Sequence, residues 1–125
     1  MQDSKFIQIL KTLDATEFRQ FNRYLRSPVF TQSKDVLRLF NYIRKYYPSF
    51  GTEKLDRQLI FAKLFPKKKF DTARLSNLLF KLNKILEDYL IYLKCQQDDF
   101  QKRRWLTQIY EERNLSVIFN KTLAN

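Results

Sequence analysis

The side chains able to do acid–base or nucleophilic chemistry are few, and their spacing argues against catalysis. The carboxylates include three adjacent pairs, Glu87-Asp88, Asp98-Asp99 and Glu111-Glu112. Neighbours in sequence do not share a helix face, so none of these pairs is a ready general acid and base. They read as helix caps and solvated surface. There is no histidine, and the only cysteine is Cys95. That removes Cys/His nucleophile pairs, Ser-His-Asp triads, zinc sites and internal disulfides. Cys95 itself follows an apolar stripe and reads as a small, buried or half-buried thiol. A single glycine, Gly51, leaves no phosphate-binding loop and no dinucleotide fingerprint. The expectation is a protein that is not an enzyme and takes no cofactor and no metal.

What remains is charge. Lys and Arg number 24 against 13 Asp and Glu, a net charge of +11. Residues 1–50 carry nine basic and four acidic side chains, residues 51–94 ten and five, and residues 95–125 five and four. An excess of this size fits nucleic acid or another anionic partner, but a lysine-rich composition with no such role is the favoured reading, since charge alone names no partner. The sharpest candidate contact set is Lys63, Lys67, Lys68, Lys69, Arg74, Asn77, Lys81 and Lys84. It spans a short helix, a basic turn after Pro66 and a longer helix, the outline of a helix-turn-helix. Arg and Asn are also the side chains that read guanine and adenine edges. The Phe65-Pro66 turn followed by Ala73-Arg74 resembles the winged-helix DNA-binding domain of some bacterial transcription factors. Those domains continue into a glycine-containing β-hairpin, where this chain runs on in helical pattern through Ile91-Tyr92-Leu93.

The elements that must position these groups are all helical. Phe6, Ile9, Leu10 and Leu13 predict a first helix over Ser4 to Leu13. Asp14-Ala15-Thr16-Glu17 has the layout of a capping box and starts a second, which Ser27-Pro28 ends. Ser33 caps a third, carrying Val36, Leu37, Phe40, Ile43 and Tyr47 up to Pro48, with Gly51 in the loop beyond. Asp56 caps a fourth, with Leu55 stapled on Ile60. Phe70-Asp71 repeats that layout against Leu75 and opens the longest stretch, Leu75 to Leu93, spaced by threes and fours without a break. Phe80, Ile91 and Tyr92 lie off its stripe, which predicts a central helix, at about 71–93, covered on more than one side. Asp98 or Asp99 caps a sixth helix with Leu106, Ile109, Tyr110 and Arg113 on one side and Trp105 at the edge. Asn114-Leu115-Ser116 breaks it, and Val117 to Leu123 predicts the first turns of a seventh. The expected fold is all-α, a single compact bundle of six or seven short helices.

With 125 residues and 44% hydrophobic side chains the chain suits one domain, residues 1–125, able to bury a core. No run approaches the 18 apolar residues of a membrane span, and the N-terminus has no signal-peptide core. A cytoplasmic protein that does not engage membranes is expected. The segment Glu17-Phe18-Arg19-Gln20-Phe21-Asn22-Arg23-Tyr24-Leu25-Arg26-Ser27-Pro28-Val29-Phe30, the Lys45-Tyr46-Tyr47-Pro48 stop and Ile60-Phe61-Ala62-Lys63-Leu64-Phe65-Pro66 resemble the N-terminal region of uncharacterised all-helical proteins of Bacteroidetes. There the region is followed by more helices of tetratricopeptide type. The resemblance implies a bacterial cytosolic scaffold that contacts a protein partner or downstream helices of its own chain. It implies no activity, cofactor or site residue. The expected function is a non-enzymatic helical interaction domain, with nucleic-acid binding through residues 63–84 as the alternative.

Overall fold

The computed structural model describes residues 1, 4–27 and 33–115. The described residues are all-α: α1 is Lys5–Leu10, α2 Ala15–Leu25, α3 Lys34–Ile43, α4 Arg57–Leu64, α5 Thr72–Gln96 and α6 Asp99–Glu112. Five expected caps form, at Asp14, Ser33, Asp56, Asp71 and Asp98, and Ser4 adds one that was not expected. Ser4 accepts from the Ile7 N–H and Ser33 from that of Val36. Asp14 and Glu17 make both bonds of a capping box, at 2.8 and 3.0 Å. Asp56 accepts from Gln58 and Leu59, and Asp98 from Gln101. Each occupies backbone donors that the first turn leaves free. The expected seventh helix, Val117 to Leu123, and the Pro28 stop lie outside the described residues.

Several ends differ from expectation for local reasons. The first helix stops at Leu10 rather than Leu13. The Thr12 hydroxyl donates to the Ile9 carbonyl at 2.6 Å, and the next turn tightens to i−3 bonds. The third stops at Ile43 and continues only as the 3₁₀ turn Arg44–Tyr46. Tyr47, held outside helical dihedrals ahead of Pro48, has ψ 141°. A second 3₁₀ turn, Glu53–Leu55, capped by Thr52, was not expected. In the loop between these turns the left-handed residue is Phe50, at φ 52°, and not Gly51. Its N–H donates to Tyr46 at 2.8 Å, and its ring is fully buried against Tyr47. That burial offsets a backbone cost of about 1–2 kcal/mol. The longest helix runs three residues beyond Leu93, to Gln96.

The chain divides into two compact units, Met1–Tyr89 and Leu90–Asn125. The first holds the core. Phe6, Phe21, Leu25, Leu39, Phe40, Ile43, Ile60, Leu75, Leu82 and Leu86 are all essentially buried. Rings link its helices. Phe40 meets Phe6, Phe18 and Phe21 with centroids 5.3–6.5 Å apart, and Tyr89 lies 5.4 Å from both Phe21 and Tyr24. Polar tips find partners in the same places: the Tyr89 hydroxyl donates to the Glu17 carbonyl at 3.0 Å, and the Tyr47 hydroxyl to that of Leu13. The Tyr42 hydroxyl donates to the Lys54 carbonyl at 2.7 Å. Its ionisation is pushed above the usual phenol range by burial first, then by Tyr46 and Asp56.

In the second unit the described helical residues are the last turns of α5 and all of α6. Not one residue of α6 is buried. The helix is nevertheless well terminated. Asn114 sits at φ 57°, its N–H donates to Glu111, and that of Leu115 reaches Tyr110 at 2.8 Å. This is a Schellman C-terminus built on asparagine. Phe80, Ile91 and Tyr92, expected to be covered on a second side of α5, are 61%, 62% and 47% exposed. The helical period shows which side chains share a face, and here it overestimated how many faces are covered.

Candidate interaction site

Three surfaces of the molecule could contact a partner. The first is the basic set predicted from sequence. Lys63, at the end of α4, and Lys67, Lys68 and Lys69, in the turn, are exposed. On α5, Arg74, Asn77, Lys81 and Lys84 follow one another at three- and four-residue steps and so share one side. Asn77, Lys81 and Lys84 are exposed, with the Lys84 ammonium 5.4 Å from the Phe80 ring.

Arg74 is different. Its guanidinium lies 3.8 Å from the centre of the Phe65 ring and 3.5 Å from Asp35 Oδ2. Asp35 also pairs with Arg38 at 3.5 Å, and Arg38 donates to the Leu64 carbonyl at the end of α4. One carboxylate, two guanidinium groups and one ring thus tie α3, α4 and α5 together. The arginine expected to read a base edge is instead a clasp between helices. The connection also departs from the expected motif. Residues 65–71 separate α4 from α5, whereas a helix-turn-helix joins its helices through about three or four residues. Phe70, expected to staple onto Leu75, is 42% exposed and meets Phe61 edge-on at 5.5 Å. Asp71 does receive the Arg74 N–H, at 3.2 Å.

The second surface is an open groove of about 280 Å³ beside the first turn of α1, where Lys5, Arg57, Ser76, Leu79, Phe80 and Asn83 form part of the wall. Most of its polar groups are already engaged. Arg57 reaches Ser76 at 3.4 Å, Lys5 pairs with Glu87 at 3.6 Å, and the Asn83 amide nitrogen donates to Glu87 at 3.4 Å. Among the described residues, Asn83 Oδ1 is buried without a partner.

The third surface is α6. Phe100, Trp105, Leu106 and Ile109 are 76%, 41%, 37% and 43% exposed, and Leu115, just past the helix, 38%. Trp105, Leu106 and Ile109 are spaced to share a face. Trp105, expected at the edge of the helix's apolar side, is open to solvent. Sequence reasoning put Leu106 and Ile109 on one side with Tyr110 and Arg113, and had no signal for that side's exposure. Among the described residues, no group of three or more Asp, Glu or Cys is placed to hold a metal ion. No helix there is long and apolar enough to cross a membrane. Comparison of the chain with protein-family models, with curated proteins and with solved structures gave no match.

Proposed function

We propose that this chain is a non-enzymatic helical protein-interaction module. The observation that carries the reading is α6, fourteen residues with both ends capped and no side chain buried. A helix of that length is marginal in water by itself and is held by tertiary or intermolecular packing of an apolar face. Here that face presents the only tryptophan, an enriched residue type at protein–protein contacts. The resemblance to the N-terminal region of helical Bacteroidetes proteins supports the same reading. It adds a bacterial, cytoplasmic setting and a place beside further helices, whose stacking a terminal unit supports. The lack of histidine and carboxylate pairs that do not share a helix face support the reading as non-enzymatic.

The test is photo-crosslinking in the protein's own cells, with p-benzoylphenylalanine placed at Leu106 or, as a control, at Lys84. Adducts to protein are expected from Leu106 and not from Lys84. Failure to form any adduct at Leu106 would defeat the reading.

Nucleic-acid binding is the second reading, favoured by the seven exposed basic and amide side chains that accompany Arg74 between residues 63 and 84. With Arg74 engaged and the turn long, few groups remain to fix orientation on a duplex. Titration with duplex DNA at physiological salt is expected to give non-selective binding of about 10⁻⁴–10⁻⁶ M. Tight, sequence-selective binding would promote the second reading over the first.

A further inference from the structure

The interaction face of α6 has a pattern that identifies one partner. Lys102, Trp105, Ile109 and Glu112 follow at steps of three, four and three, the spacing of a helix–helix seam. Leu106 flanks it. The charges at its two ends are opposite: Lys102 near the start and Glu112 at the finish. They are ten positions apart, about 15 Å along the axis, too far to pair within one helix. The Lys102 ammonium donates to Gln96 Oε1 at 3.0 Å and has two further N–H donors. Glu112 is exposed.

A second α6 laid antiparallel, with a two-fold axis at Thr107, completes this pattern. Lys102 then faces Glu112 of the second copy, Trp105 faces its Ile109, and the same contacts repeat on the other side of the axis. The two apolar residues form the inner layers and the ion pairs close both ends. A parallel pairing in the same register would set Lys102 against Lys102 and Glu112 against Glu112. We infer that α6 is a self-complementary docking surface and that its partner is a second copy of this chain in antiparallel orientation. The inference rests on the interaction reading above and names the partner. The contacting stripe covers about three helical turns, less than the roughly 800 Å² per partner of a standard interface, so the pair is weak and concentration-dependent.

Equilibrium sedimentation, with Trp105 fluorescence read over the same concentrations, tests the inference. The intact chain is expected to move from monomer to dimer while Trp105 emission shifts to the blue. Lys102→Glu and Glu112→Lys each create two like-charge pairs and are expected to weaken the dimer about tenfold. Neither harms α6 as a helix, because an acid near its start and a base near its end both suit the helix dipole. The combined Lys102→Glu/Glu112→Lys variant restores both pairs with signs reversed and is expected to recover the dimer. A monomer at every concentration overturns the inference, as does a dimer indifferent to the single changes or a double variant weaker than either single one. If the chain is monomeric while Leu106 crosslinks in cells to a protein of another mass, the second-copy inference fails and the interaction reading stands.

Discussion

Residues 4–89 and residues 90–115 have similar apolar periodicity and opposite fates. In the first, Phe6, Phe21, Phe40, Leu82 and Tyr89 are 0–1% exposed, and their rings and hydroxyls interlock. In the second, Trp105, Leu106 and Ile109 repeat at the same helical spacing and remain 37–43% exposed. One region has closed a core on itself, with Leu59, Phe70 and Phe80 left outside it. The other has built a helix with both ends satisfied and has left the face open. Cap quality and spacing alone therefore do not decide whether a helix belongs to a core or to an interface.

The largest expected effect of that contrast is on stability. Leu82→Ala removes a fully buried side chain and should cost about 2–5 kcal/mol in chemical denaturation. Leu106→Ala should cost well under 1 kcal/mol at concentrations where the chain is monomeric. Equal losses would erase the distinction between the two regions. Next comes the clasp. Arg74→Ala should lower stability by roughly 1–2 kcal/mol, since it removes the contact with Phe65 and leaves the Asp35 carboxylate with Arg38 alone. Lys81→Ala, on the same side of α5 but exposed, should leave stability within about 0.5 kcal/mol. If the two variants unfold alike, Arg74 is a surface residue and returns to the nucleic-acid face. Smaller again is Tyr89→Phe, which keeps the ring among Phe21 and Tyr24 but leaves the Glu17 carbonyl without this donor. A loss of about 1 kcal/mol is expected.

The legible part of this molecule was local. A polar side chain ahead of an apolar period marked Asp14, Ser33, Asp56, Asp71 and Asp98 as caps, and Asn114 as a break, because these bonds form within four or five residues. The unbroken spacing from Leu75 gave the longest helix within three residues at its end. The features that escaped depend on groups distant in sequence. Phe50 adopts a left-handed backbone because its ring is fully buried, although Gly51 beside it is the residue a turn would favour. Arg74 is drawn off the basic face by Asp35, thirty-nine positions earlier, and by Phe65. Of the eight candidate contact residues, the structure sets this one apart and leaves the other seven exposed. On α6, periodicity put Leu106, Ile109, Tyr110 and Arg113 on one side, but it carries no information about what covers that side.

Hydrogen exchange on the native protein tests the central contrast most directly. At low concentration, the amides of residues 75–89 are expected to exchange only through near-global opening, and those of residues 102–112 orders of magnitude faster. Raising the protein concentration should slow residues 102–112 selectively as the second copy covers α6. Protection of residues 102–112 equal to that of residues 75–89 at every concentration would contradict the account, because α6 would then belong to the same cooperative core.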